Sequence, residues 1–267
     1  MALPPPSTSG TALVTGASSG IGAEIARELA RRGHHVTLAA RREERLRTLA
    51  EEISNDLGGE AEVVACDLSD PSERERLLAE IGRSGRAVEI LVNNAGFGGT
   101  GDFATSDRDR ILKMVRLNVE AVADLAGRAV EGMVRRGGGA IINIASTAAF
   151  QPLPGQAAYG ATKAFVLSLS EAIQSELGGT GVTVTAVCPG PVRTEFMDVA
   201  GLDEAEDKTP DLIWMTPEQI AREAISGAER NKRVVVPGPL NRAGAIAGQH
   251  APRALALPLV KRIWSRV

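Results

Sequence analysis

Tyr159 and Lys163 stand four residues apart in the run Tyr159-Gly160-Ala161-Thr162-Lys163, which continues as Ala164-Phe165-Val166-Leu167-Ser168-Leu169. On a helix this spacing puts the two side chains one turn apart on the same face. A phenol held near an ammonium is a poised acid, because the positive charge favours the phenolate and lowers a pKa that is ordinarily about 10. Tyr/Lys pairs at this spacing are common on helix surfaces. The pair carries meaning only if the rest of the chain builds a hydride donor and a carbonyl site around it.

The elements that must position it read as strands alternating with helices. Thr11-Ala-Leu-Val-Thr15 is a short buried strand, followed at once by Gly16-Ala-Ser-Ser-Gly20-Ile-Gly22 and a helix with Ile25, Ala26 and Leu29 inward and Gly33 at its end. Further strands are expected at Val36–Ala40, Ala61–Cys66, Glu89–Val92, Ala140–Ala145, Val182–Val187 and Arg233–Val236. Helices are expected over Arg41–Leu57, from Asp70-Pro71, over Ser106–Arg136, from the Tyr159 segment to Leu177, and from Pro217 to Arg230. This alternation predicts an α/β fold: one doubly wound, Rossmann-type domain with about seven parallel strands and helices on both faces. The domain should span 11–237 and include an acidic, irregular lid at about 191–216. Residues 1–10, rich in Pro, Ser and Thr, read as a disordered lead-in. Residues 238–267 read as a basic and apolar extension.

Composition fits such a fold. A chain of 267 residues supports one sizeable core, 29 glycines suit tight turns, and a net charge of −3 makes nucleic acid an unexpected partner. Cys66 and Cys188 sit in apolar, strand-like sequence without metal-ligand spacing, so they read as reduced core thiols and no metal is expected. No stretch is apolar for long enough to span a bilayer and the N-terminal residues lack a signal-peptide pattern, so a cytoplasmic location is expected. After Glu229 there is no acidic residue. Lys232, Arg233, Arg242, Arg253, Lys261, Arg262 and Arg266 there mix with Leu255, Leu257, Leu259, Val260, Ile263 and Trp264. That pattern is compatible with peripheral contact with an anionic membrane. Packing on the domain or a neighbouring subunit is the favoured reading, because Pro252 and Pro258 interrupt any long amphipathic helix.

The turn formed by Gly16, Ser18, Ser19, Gly20, Ile21 and Gly22 lies between a buried strand and a helix, where backbone amides and the helix N-terminus make an anion site. Glycine lets a pyrophosphate approach the backbone, so dinucleotide binding is expected. An acidic residue at the end of the second strand would grip a ribose 2′-hydroxyl, whereas arginine suits a 2′-phosphate. Here Ala39-Ala40-Arg41-Arg42 precedes the first carboxylate, Glu43, which favours NADP(H) over NAD(H), with Arg41 as the reader of the phosphate.

Asn118 sits on an apolar stripe formed by Ile111, Val115, Val122, Leu125 and Ala129, and a polar side chain on a buried face must find partners. Ser146, just beyond a buried strand, is placed to donate to a substrate oxygen.

Taken in order, Thr15-Gly-x-x-x-Gly20-Ile-Gly22, Asp67, Asn93-Asn-Ala-Gly96, Asn118, Ser146, Tyr159-x-x-x-Lys163 and Pro189-Gly190 resemble the short-chain dehydrogenase/reductase family, in its single-domain branch, from Thr11 to about Pro237. The resemblance implies that Asp67 and Leu68 flank the adenine, and that Asn94, Ala95 and Gly96 line the ribose side. It further implies that Pro189, Gly190, Val192 and Thr194 lie against the nicotinamide amide. Asn118 would distort its helix and hold a water linking the lysine to solvent. Ser146, Tyr159 and Lys163 would complete a catalytic tetrad. Ala145 stands where a second serine is common. The helices over Ser106–Arg136 and around Tyr159 would pair subunits into a homodimer or homotetramer.

The expected activity is hydride transfer between the nicotinamide and a carbonyl or secondary alcohol of a small molecule. Tyr159 would be the general acid, and Lys163, together with the positive nicotinamide of the oxidised complex, would lower the tyrosine's pKa while also binding the ribose. Phe97, Phe150 and Gln151, with Ser146 and Tyr159, are the expected substrate contacts and favour an apolar acyl, lipid or steroid-like body. Alternatives are a dinucleotide-sensing protein without turnover, a peripheral membrane ketoacyl reductase, and an enoyl reductase, against which the four-residue Tyr/Lys spacing speaks.

Overall fold

A computed structural model describes residues 3–201, 211–254, 257–258 and 260. Seven strands, β1 (Gly10–Thr15), β2 (Val36–Ala40), β3 (Ala61–Ala65), β4 (Ala87–Asn93), β5 (Gly139–Ile144), β6 (Val182–Val187) and β7 (Val234–Val235), form one parallel sheet in the order β3-β2-β1-β4-β5-β6-β7. The chain runs outward from β1 through β2 to β3, then returns to the other side of β1 as β4. The loops after β1 and β4 therefore part company, which opens a crevice at the carboxyl edge of the sheet.

The sheet is doubly covered because its strands alternate two apolar faces. Ala12, Val14, Ile90 and Val92 face the layer of α1 (Gly20–Arg31), α2 (Glu43–Asp56) and α8 (Pro217–Glu229), where Ile25, Leu29, Leu46, Ile53, Ile220 and Ile225 are fully buried. Leu13, Leu91 and Ile141 face α3 (Pro71–Arg83) and α5 (Ala121–Arg136), against Leu77, Ile81, Leu125 and Met133. A third cluster joins Val122 and Cys188 to Val166 and Leu167 of α6 (Ala157–Glu176). Each such aliphatic or aromatic side chain contributes about 1.5–3 kcal/mol as an upper bound.

The expected helix over Ser106–Arg136 is present but divided. It comprises α4 (Arg108–Val115), one wide turn with i to i+5 bonding over Arg116–Glu120, and α5. The extra residue in that turn moves α4 out of phase with α5. Val115, expected on the buried stripe, is 38% exposed, and Met114 is buried in its place. The lid is not wholly irregular, since α7 (Phe196–Ala200) and one turn at Asp211–Ile213 stand within it; residues 202–210 lie outside the described residues.

The N-terminal segment departs from the expected disordered lead-in. Leu3 is buried in the core, the Ser7 hydroxyl donates to Glu89 at 2.8 Å, and Arg86 donates to the Thr8 carbonyl at 3.0 Å. Its low charge and one apolar anchor let it pack at the amino end of β1, where Ser9 O accepts from Ala87 N–H at 2.9 Å. At the other end α9 (Pro239–His250) packs through Asn241 and Ala245, and the Asn241 amide donates to the Ile213 carbonyl at 3.0 Å. Leu255, Leu259, Lys261, Arg262, Ile263, Trp264 and Arg266 lie outside the described residues. Among the described residues no helix is long and apolar enough to cross a membrane.

Replacing Leu3 by Ser is expected to lower the thermal midpoint by about 2–4 °C for each of the roughly 1–3 kcal/mol lost. An unchanged melting curve would mean that the segment is not held.

Candidate active site

Candidate residues stand at the carboxyl ends of β1, β2, β3, β4, β5 and β6. β5 ends at Ile144, and its backbone continues alongside β6, with Ala145 N–H donating to Val187 O at 2.7 Å and Thr147 N–H to Pro189 O at 2.8 Å. Ser146 is pinned between these two bonds. Its Oγ accepts from Ala148 N–H at 3.1 Å and caps the one-turn helix Thr147–Phe150, so its own proton remains for another acceptor. Lys163 lies on α6 one turn beyond Tyr159. Its Nζ is buried, donates to the Ile144 carbonyl at 2.8 Å and lies 5.9 Å from the centre of the Tyr159 ring.

Asn118 occupies the wide turn between α4 and α5 and is 1% exposed. Its amide clamps Phe97 from both sides, with Oδ1 accepting from Phe97 N–H at 3.2 Å and Nδ2 donating to Phe97 O at 3.0 Å. Nδ2 also donates to Thr162 Oγ1 at 3.2 Å, and that hydroxyl donates to the Tyr159 carbonyl at 2.7 Å. The polar group on the buried stripe is thus satisfied, and it couples the loop after β4 to the first turn of α6. Gly96 lies at the junction, where a Cβ would stand 3.0 Å from Asn118 Oδ1 and 3.7 Å from Lys163 Nζ.

The glycine turn lies beside β4 through a threonine that spacing alone did not single out. Thr15 Oγ1 donates to Val92 O at 3.0 Å and accepts from Asn94 N–H and Ala95 N–H at 2.9 and 3.1 Å. Asn94 Nδ2 returns a bond to Thr15 O at 2.9 Å. A Cβ on Gly22 would lie 2.4 Å from that amide and 2.5 Å from Gly16 O, so only glycine fits. Gly20, at φ +56°, has the side chain of Thr194 across it, and Ile21 packs on the core beneath. Ser18 and Ser19 accept from the guanidinium of Arg42 at 2.7–3.1 Å. Arg41, exposed at the end of β2, lies near Asp67. Burial pushes the Asp67 carboxyl up, but Ser69, Lys113 and Arg41 outweigh it and hold it below the ordinary range. Leu68 has its side chain in the core and its carbonyl bound by Arg74 at 3.0 Å. Val192 is buried and Gly190 abuts Asn241.

The expected substrate contacts separate into two groups. Phe97 adjoins Asn118 and carries Arg110 5.3 Å above its ring. Phe150 packs against the third core cluster, and Gln151 abuts Gly248 of α9. The aromatic ring that meets Tyr159 is instead Phe196 of α7, with centroids 5.6 Å apart. Behind the site Asn93, Asn143 and Ser170 form a buried chain across β4, β5 and α6, with bonds of 2.9 Å at both links. Asparagines paired in register inside two apolar strands were the available signal, since buried amides require partners.

In the protein alone burial outweighs the nearby charge: it pushes the Tyr159 phenol up to about 12, with Ser146 opposing and the neighbouring Cys188 adding to the rise. Burial likewise draws Lys163 down to about 8. The ammonium donates to the Ile144 carbonyl, and desolvation is the largest influence on both groups. At neutral pH the tyrosine is a protonated acid beside a charged lysine.

Between the folded value of about 8 and the ordinary 10.5 for Lys163, the unfolded chain binds the extra proton, so stability attributable to this group rises with pH through that window. The unfolding free energy of the wild type relative to Lys163→Met should therefore grow by up to roughly 3 kcal/mol across it in denaturant titrations. A difference that stays flat with pH would contradict a buried, depressed lysine.

Residues 10–205 match the family model for short chain dehydrogenases. A Streptomyces coelicolor protein assigned as a ketoacyl reductase is 43% identical over 185 residues, 68% of this chain and 70% of that one. The NADP-dependent 3-hydroxy acid dehydrogenase of Escherichia coli K12 is 36% identical over 214 residues, 78% of this chain and 85% of its own. A short-chain dehydrogenase from Sphingobium yanoikuyae, solved in complex with NADPH, superposes with a TM-score of 0.80 at 36% identity, covering 90% of this chain and 92% of that one. On sheet order, crevice and sequence together, the chain belongs to the short-chain dehydrogenase family of oxidoreductases.

Proposed function

We propose that this protein is an NADP(H)-dependent reductase that interconverts a ketone and a secondary alcohol on an apolar, acyl-type substrate, with Tyr159, Ser146, Lys163 and Asn118 as its working residues. The observation that carries this reading is that Tyr159 and Lys163 lie one turn apart on α6, with Lys163 Nζ buried on the Ile144 carbonyl and Ser146 two residues beyond that carbonyl at the carboxyl edge of the sheet. The glycine turn fits a dinucleotide, because Gly22 has no room for a Cβ and Ser19 caps α1 without using its side chain on the helix amides. Gly16, Ser18, Ser19, Gly20 and Ile21 would hold the pyrophosphate. Asp67, Leu68, Asn94, Ala95 and Gly96 would hold the adenosine and ribose, and Pro189, Gly190, Val192 and Thr194 the nicotinamide end.

A bound nicotinamide supplies the hydride, or takes it up in the reverse direction. The chain's own residues handle the oxygen. Ser146 Oγ donates to the substrate oxygen and holds it against Tyr159, whose Oη gives up its proton as charge develops there. Lys163 stabilises the phenolate left behind and would bind the ribose hydroxyls. Asn118, through Thr162 and Phe97, fixes the first turn of α6 against the loop after β4. Phe97, half-buried beside Asn118, presents an apolar face, which supports an acyl body over a sugar.

The names of the relatives agree with this reading: ketoacyl reductase and 3-hydroxy acid dehydrogenase denote the same carbonyl/alcohol exchange. NADP(H) preference is supported by Arg41 and Arg42 at the end of β2, with no carboxylate before Glu43. Leu112, Val115, Val134 and Phe165 are 38–40% exposed on the α4, α5 and α6 surface, which favours a homodimer or homotetramer.

NADPH oxidation should be detected within a panel of ketones, β-ketoacyl thioesters and aldehydes, and not with matched enoyl thioesters. Tyr159→Phe should reduce kcat by about 10²–10⁴. Arg41→Ala should raise the KM for NADPH far more than that for NADH. Turnover that survives in Tyr159→Phe would sink the mechanism, and equal effects of Arg41→Ala on both cofactors would sink the assignment of Arg41.

A further inference from the structure

The charged residues at the end of β2 do not stand alone. Glu195, the first residue after the Pro189–Thr194 segment, places one carboxylate oxygen 2.8 Å from Arg42 Nη1 and the other 2.5 Å from Arg45 Nη1. The same Arg42 spends its Nε and Nη2 on the hydroxyls of Ser18 and Ser19 in the glycine turn. One anion is thus held by two guanidinium groups, with two serine hydroxyls on the guanidinium they share. That is the donor set suited to a phosphate, and a carboxylate from the lid fills it. On either side of Glu195 the backbone is committed: Thr194 lies across Gly20, while Phe196 covers the Tyr159 ring and abuts Gly98.

We infer that Glu195 is an internal stand-in for the adenosine 2′-phosphate, so that a cofactor carrying this phosphate displaces it and releases the 195–200 segment from the active site. This rests on the NADP(H) reading above. The exchange is feasible because the three partners are each 44–50% exposed, and such pairs hold weakly. A phosphate carries more charge and more acceptor oxygens than a carboxylate and forms stronger paired bonds with arginine. The two arginines hold the Glu195 carboxyl down at about 2, so it competes as a full anion throughout the physiological range. A cofactor with only a 2′-hydroxyl carries its pyrophosphate to the glycine turn but brings no second anion to Arg42 and Arg45, and leaves Glu195 and Phe196 where they are. Glu195 therefore sets both the apparent affinity for the phosphorylated cofactor and the coupling between that phosphate and access to Tyr159.

The test uses the full-length protein with 2′,5′-ADP, 5′-AMP, NADP+ and NAD+ as titrants, reading dissociation constants calorimetrically and hydrogen exchange of residues 195–200. Wild type should bind 2′,5′-ADP more tightly than 5′-AMP. Glu195→Gln should tighten 2′,5′-ADP and NADP+ by about three- to tenfold and leave 5′-AMP and NAD+ unchanged. Exchange in 195–200 should rise in wild type on adding 2′,5′-ADP but not 5′-AMP, and should already be high in free Glu195→Gln. Glu195→Asp, one methylene shorter, should lie between the two. If wild type shows no preference for 2′,5′-ADP, the NADP(H) reading itself fails. If the preference is present but Glu195→Gln changes neither the affinity ratio nor the exchange, the role of Glu195 is refuted and the cofactor assignment stands.

Discussion

The geometry of this site hangs on one hydrogen bond, from the buried Lys163 ammonium to the carbonyl of Ile144. An ammonium removed from water is costly, and a single neutral carbonyl offsets that only in part. The fold tolerates the cost because the carbonyl belongs to the last residue of a central strand, whose next groups are already bonded across to β6. Ile144 cannot move without breaking the Ala145–Val187 and Thr147–Pro189 links. α6 is therefore fixed in both rotation and height against the sheet, and Tyr159, one turn earlier, is fixed with it. Ser146 lies two residues beyond the same carbonyl, so the acid and the hydroxyl that faces it share one anchor.

The second constraint is the wide turn at Arg116–Glu120. A regular helix would carry its apolar stripe straight through Asn118 and bury the amide without partners. The inserted residue instead brings Asn118 against Phe97 and Thr162 and shifts α4 by one position, so that Met114 faces inward and Val115 outward. A π-type turn costs helical hydrogen-bond geometry and persists where the surrounding contacts hold it. Here those contacts are the loop after β4 and the first turn of α6, the two pieces of chain that flank the crevice.

Much of this was legible in the sequence, for a physical reason. The strands are short apolar runs closed by turn residues, and Gly16, Gly20 and Gly22, Tyr159 and Lys163 are local patterns whose geometry follows from backbone period alone. Three kinds of feature escaped. The sign of the tyrosine's shift in the protein alone escaped because it depends on how much water the fold excludes, whereas spacing registers only the nearby charge. Packing of Leu3 escaped because a single apolar residue in a Pro/Ser segment gives no period. The Glu195 contacts with Arg42 and Arg45 escaped because they join residues 153 and 150 positions apart, and no local pattern encodes that pairing.

The placement of charge suggests why the two halves of the crevice behave differently. At the Tyr159 end the ionisable groups are buried, their protonation is set by desolvation, and their positions are locked by backbone bonds that salt does not screen. At the Arg42 end the charged groups are half exposed, their pairs are weak and screened, and their partners can be exchanged for a ligand's. A rigid acid and an exchangeable anion site are joined by the few residues from Thr194 to Phe196. The proposed chemistry requires the first kind of electrostatics, since in it Tyr159 keeps its proton until the substrate oxygen takes it. Recognition requires the second, since a cofactor must both bind and leave. The fold supplies both by giving the first task to the strand ends of β5 and β6 and the second to the solvent rim beyond β2.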